Sequence, residues 1–73
     1  MLDGTLIEQN ADVLGGTPVF AGTRVPVHTL LDYLIAGDSL ADFLDDFPTV
    51  TRAQAIAVLE LLKQILLAEF SLK

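Results

Sequence analysis

Ser39-Leu-Ala-Asp-Phe-Leu-Asp-Asp-Phe-Pro-Thr-Val-Thr-Arg-Ala-Gln54 is the stretch on which the fold turns. Leu40, Phe43, Leu44 and Phe47 recur at i, i+3, i+4 and i+7, which is one face of an α-helix. Ser39 stands where its hydroxyl can accept a hydrogen bond from a first-turn amide, and Pro48 cannot continue the helix. Asp42, Asp45 and Asp46 fall off the apolar stripe. Thr51-Arg-Ala-Gln54 then has the form of a capping box, with Val50 and Ala55 placed as a hydrophobic staple. A helix, a short turn from Phe47 to Val50 and a longer helix make a helix-turn-helix pattern.

Toward the C-terminus, the helix opened at Thr51 runs to about residue 70. Leu59, Leu62, Leu66 and Phe70 form one stripe, and Val58, Leu61 and Ile65 form another beside it. From Leu61 to Phe70 the only polar residues are Lys63, Gln64 and Glu69. One stripe suffices to bury a surface helix, so this end carries apolar surface to spare. Leu61, Leu62, Ile65, Leu66 and Phe70 are therefore the expected contact with a partner or a second copy.

Toward the N-terminus, Val27, Leu30, Leu31, Leu34 and Ile35 again match one helical face. Pro26 suits the entry to that helix and Gly37 its end, while His28, Thr29, Asp32 and Tyr33 lie off the stripe. Before it, Val19-Phe20 and Thr23-Val25 flank Ala21-Gly22, a hairpin signal, with Pro18 and Pro26 at the ends where a missing amide does least harm. Thr5 to Glu8 has the composition of a further short strand, and Gly15-Gly16 mark a turn. The expected fold is mainly α: a short N-terminal β hairpin followed by a three-helix, homeodomain-like or winged helix-turn-helix unit. Residues 1–73 form a single domain on this reading, with a β arm over 1–25 and the three-helix unit over 26–73.

A chain of 73 residues with 52% hydrophobic residues and no cysteine has a small core and no disulfide to support it. Association is the usual remaining support, so an oligomer is expected. The net charge of −6 opposes both phosphate backbones and anionic membrane surfaces. No apolar run nears the ~20 residues that cross a bilayer, and the first residues lack the basic start and apolar segment of a signal peptide. A cytoplasmic protein that does not engage membranes is expected.

Catalysis finds little support. The aspartates fit no calcium-loop spacing, and a helical carboxylate group usually forms a solvated face. His28 and Ser39 lack a nucleophile elbow, and Ser39 is better explained as a helix cap. The glycines form neither phosphate-cradling motif. No enzyme, metal or cofactor is expected. In a DNA reading, the start of the third helix offers Arg52 and Gln54 to the major groove, with Thr51 on phosphate. On residues alone a plain three-helix bundle without DNA is preferred. Arg24 is left open between an ion pair within the fold and a contact to phosphate or an acidic partner.

Taken together, Gly15-Gly-Thr-Pro-Val-Phe-Ala-Gly-Thr-Arg-Val-Pro-Val27, Leu30-Leu-x-x-Leu34, Ala36-Gly37, Ser39-Leu40 and Asp46-Phe-Pro48 resemble the domain-of-unknown-function 433 family. The resemblance covers about residues 5 to 60 and is most distinctive at Gly22-Thr-Arg-Val-Pro-Val27. It implies a small β element with a three-helix unit acting as the antitoxin of a bacterial toxin–antitoxin pair. Such a protein would dimerise, bind and neutralise a PIN-like ribonuclease toxin, and repress its own operon through operator DNA. Arg24, Thr51, Arg52 and Gln54 would be the DNA contacts. Two departures shift weight from DNA toward protein binding. Thr17 and Ala21 stand where the family often has Lys or another polar residue, and the last helix is more apolar than the family pattern requires. The alternatives are a stand-alone DNA-binding regulator and an interaction module that never touches DNA.

Overall fold

In the computed structural model, which describes residues 6–70, a two-stranded antiparallel ribbon of β1 (Ile7–Glu8) and β2 (Val19–Phe20) precedes three helices. These are α1 (Val27–Ile35), α2 (Leu40–Asp46) and α3 (Arg52–Glu69). The chain is thus mainly helical with a short N-terminal hairpin, as the residue pattern predicts.

Local signals act where they stand in the chain. Ser39 accepts a hydrogen bond from the Asp42 amide at 3.0 Å, and the Asp42 carboxylate accepts one from the Ser39 amide at 3.1 Å, which closes a full capping box. Gly37 ends α1 with φ +94°, a left-handed position that suits glycine. There the Gly37 amide donates to Leu34 and the Asp38 amide to Tyr33, the paired bonds of a Schellman motif. Thr51 caps α3 by accepting from the Gln54 amide at 3.0 Å.

The ribbon differs from the expected one. Phe20 and Thr23 close a turn with Gly22 at φ +77°, the backbone a type II turn demands at its third residue. Type II geometry splays the flanking arms, unlike the primed turns that extend hairpins. The Val25 amide is diverted to the Thr23 hydroxyl, and Pro26 has no amide to give. Residues 23–25 therefore form no strand, and a single bridge, Val19 to Pro26, remains. β2 takes its ladder partner from upstream instead, in the register Ile7 to Phe20 and Glu8 to Val19. The Glu8 carboxylate also accepts a hydrogen bond from the Gly22 amide at 3.0 Å and so ties β1 to the turn.

The core lies where the ribbon meets all three helices. Phe20, Leu30, Phe43, Ala55 and Val58 are fully buried, with Ile7, Val25, Val27 and Val50 around them. Tyr33, placed off the stripe of α1 by periodicity, packs edge-on against Phe43 and Phe47, with ring centroids 5.5 and 5.9 Å away. Conversely, Leu34 and Ile35 continue the predicted stripe yet lie exposed, Ile35 at 82%. The reason is that α2 covers the Tyr33 side at the C-terminal end of α1, so the buried face rotates away from the ideal stripe there.

Gln54 departs from its expected role. Its side chain does not return to the Thr51 amide but crosses to the β arm, where Nε2 donates to the Ala21 carbonyl at 2.9 Å. This bond spans 33 residues and clamps the turn onto α3. Gln54→Ala should cost about 1–2 kcal/mol, because a half-buried carbonyl loses its partner. At a urea slope of about 1 kcal/mol per M, the unfolding midpoint should fall by about 1–2 M. An unchanged midpoint would show that the clamp contributes nothing.

Candidate interaction surface

α3 is the longest helix, with 18 residues against 9 in α1 and 7 in α2. At 1.5 Å per residue it spans about 27 Å, roughly twice the reach of α1. Its core-facing side begins with buried Ala55 and Val58 and continues through half-buried Leu59, Leu61 and Leu62. Beyond Leu62 every described residue of the helix is exposed. Ile65, Leu66, Leu67 and Phe70 are 45, 57, 58 and 62% exposed. Of the five residues expected at an interface, Leu61 and Leu62 thus pack against the core, while Ile65, Leu66 and Phe70 form an open apolar face. Leu67 joins them; its signal was the scarcity of polar residues in this stretch, not its place on a stripe.

A shallow groove of about 220 Å³ is lined by Ile7, Pro18, Val27, His28, Leu31 and Leu62. Its lining is apolar apart from the His28 ring, which is hydrogen-bonded at 3.0 Å to Asp32, one turn along α1. Sites for small molecules usually measure about 300–1,000 Å³, so the groove suits a side chain better than a free ligand. It draws on β1, the segment before β2, α1 and α3, which is why no single sequence window reveals it.

The basic residues are sparsely arranged. Arg24 sits exposed on the turn after β2, and Arg52 exposed at the first position of α3. Thr51 is exposed as the cap, with its hydroxyl accepting from the Gln54 amide, and the Gln54 side chain is committed to Ala21. Lys63 lies 3.2 Å from Glu60, an exposed pair of little energetic weight. Arg52 and Arg24 are thus the two cations of the expected DNA contact that no ion pair engages among the described residues.

The acidic residues gather at the opposite end of α1. Asp38, Asp42, Asp45 and Asp46 surround Tyr33. The Tyr33 hydroxyl donates to the Asp46 carboxylate at 2.5 Å. That bond, followed by partial desolvation and the charges of Asp46, Asp38 and Asp42, pushes the phenol from 10.0 up to about 12. The folded protein therefore holds the Tyr33 proton more tightly than the unfolded chain. The resulting stability is fully present below pH 10 and is lost as pH rises toward about 12. With one tyrosine and no tryptophan, near-ultraviolet absorbance should report this titration cleanly in the folded chain. Asp46→Asn should shift it back toward 10.0, and an unmoved titration would show that the bond is not its cause.

No group of three or more His, Asp or Glu side chains is arranged to hold a metal ion among the described residues. No helix among them is long and apolar enough to cross a membrane.

These features define a small module of one β ribbon and three helices whose last helix carries an uncovered apolar end. Residues 7–61 match the family described as Protein of unknown function (DUF433), and the chain belongs to that family. It is also 40% identical over 45 residues to the Uncharacterized protein y4eO of Sinorhizobium fredii (strain NBRC 101917 / NGR234). The aligned part makes up 62% of this chain and 20% of that protein, so the chain spans about a fifth of the relative's length. No solved structure matches the chain.

Proposed function

We propose that the protein is the antitoxin of a toxin–antitoxin pair, binding and neutralising a PIN-like ribonuclease through the apolar end of α3. The observation that carries this reading is the open face of Ile65, Leu66, Leu67 and Phe70 on a small acidic chain. An exposed apolar patch of this kind marks a protein-binding surface. A ribonuclease must attract a polyanion, so its active face is basic, and an inhibitor of net charge −6 is steered toward it. Inhibition is steric and needs no chemistry from the antitoxin, and the site of action is the cytoplasm. Co-expression with the adjacent reading frame should relieve the growth arrest which that frame causes alone. A frame that causes no arrest and forms no complex overturns the proposal.

A second reading, binding of operator DNA, is favoured by the α2–α3 arrangement and exposed Arg52. Arg24 and Arg52, which no ion pair engages among the described residues, would give a gel shift whose affinity falls with about the second power of salt per chain. No shift with the chain's own upstream DNA at low salt would rule it out.

A further inference from the structure

We propose that Glu69 bars a second copy of this chain from the open end of α3. It reserves that face for a partner presenting a cation, an arginine or lysine flanked by apolar side chains. The choice of partner rests on the antitoxin reading and names what the ribonuclease must present.

The placement follows from helix geometry. Ala55, Val58, Leu62, Ile65 and Glu69 succeed one another at alternating spacings of three and four residues. Such a row keeps to one side of a helix. Ala55 and Val58 are fully buried, Leu62 is half-buried, and Ile65 and Glu69 are exposed. The side that meets the core at the start of α3 thus runs on uncovered, and its last member is a carboxylate. Leu66 stands beside it, three residues before Glu69 and 57% exposed. A partner that covers Ile65 and Leu66 therefore also covers Glu69.

Nothing within the described fold explains that carboxylate. Glu69 is the last residue of α3, where the helix end is itself partly negative, and no basic residue stands in the last turn to offset it. It engages no ion pair among the described residues. Lys63 is held by Glu60 at 3.2 Å. At about 100° per residue, Lys63 also points roughly 120° away from Glu69 around the helix axis. Arg52 opens the helix, about 25 Å from Glu69 along its axis. The row between them is closed by the core at Ala55 and Val58, so a copy seated on the open end does not bring Arg52 to Glu69.

A second copy would cover Glu69 with apolar surface or with another Glu69, and each copy adds a net charge of −6. A charge covered without a counterion opposes association. One polar residue in an otherwise apolar seam selects partners in this way, favouring the one that satisfies it and penalising the one that does not. The basic face of a ribonuclease supplies the missing cation. Arginine suits it best, because its fork meets a carboxylate at two points while its weakly hydrated plane tolerates apolar neighbours.

Glu69→Leu separates the two occupants, because it makes the row apolar throughout. The position is exposed and leucine favours helix, so the variant folds, and circular dichroism verifies that. In sedimentation equilibrium of the purified full chains, Glu69→Leu should self-associate at least about tenfold more strongly than the native chain. Adding Leu66→Asp should abolish the gain. With the product of the adjacent reading frame as the probe, titration calorimetry should show Glu69→Leu binding at least about thirtyfold more weakly. An apolar contact alone would make it bind more tightly. Three results overturn the proposal: a native dimer that Leu66→Asp dissociates, a Glu69→Leu chain that self-associates no better than the native one, or a Glu69→Leu chain that binds the probe undiminished. A probe that binds neither chain sinks the antitoxin reading, and self-association alone then decides whether Glu69 bars a second copy. A probe bound equally by both chains sinks only the role of Glu69.

Discussion

Phe43→Ala should lower the melting temperature by about 15–30 °C and leave much of the protein unfolded at 37 °C. Phe43 is fully buried and touches three other rings, with centroids 5.9 Å away at Phe20, 5.5 Å at Tyr33 and 5.2 Å at Phe47. It joins the β ribbon, α1 and the C-terminal end of α2, so its loss opens a cavity that no single element can collapse to fill. Such truncations cost about 3–5 kcal/mol. At about 0.05–0.15 kcal/mol per residue, a chain of 73 residues holds roughly 4–11 kcal/mol in all. The single change therefore removes a quarter or more of the total. In a domain this small each kcal/mol is worth about 4–8 °C. Circular dichroism melts at fixed concentration measure the shift, and a fall below about 5 °C would contradict this account of the core.

Leu66→Asp should behave in the opposite way, sparing the fold and abolishing toxin binding. Leu66 is more than half exposed, so a charge there costs the monomer little. At the centre of an apolar seam the same charge is costly. Removing a central anchor commonly costs 2 kcal/mol or more, at least about thirtyfold in affinity. The variant should retain its helical signal and fail to relieve toxin-induced arrest. Arg52→Ala, at the other end of α3, should still relieve it. Relief undiminished in Leu66→Asp would place the toxin contact away from this end of the helix.

The legible features of this chain share one property, namely that their partners lie within four residues. Ser39 and Asp42, Thr51 and the Gln54 amide, and Gly37 with the last turn of α1 are all local hydrogen-bond arrangements. Helix starts and stops could therefore be read before any tertiary contact was known. The candidate surface was half legible in the same way. Apolar crowding between Leu61 and Phe70 marked it, but periodicity could not tell that Leu61 and Leu62 pack inward while Ile65, Leu66 and Phe70 do not. That division depends on what the rest of the chain covers, which is a property of other segments.

By itself, the sequence determined three helices with their caps, a glycine turn, an acidic surface and a surplus of apolar side chains on the last helix. Only the tertiary structure decided which strand β2 pairs with, that Tyr33 turns inward to Phe43 and Asp46, and that Gln54 clamps Ala21. It also gathered the groove from Ile7, Pro18, Val27, Leu31 and Leu62. The physical reason is range. Caps and stripes are satisfied within a turn of helix, whereas a diverted amide, a rotated burial face or a groove takes its partners from residues far apart in the chain.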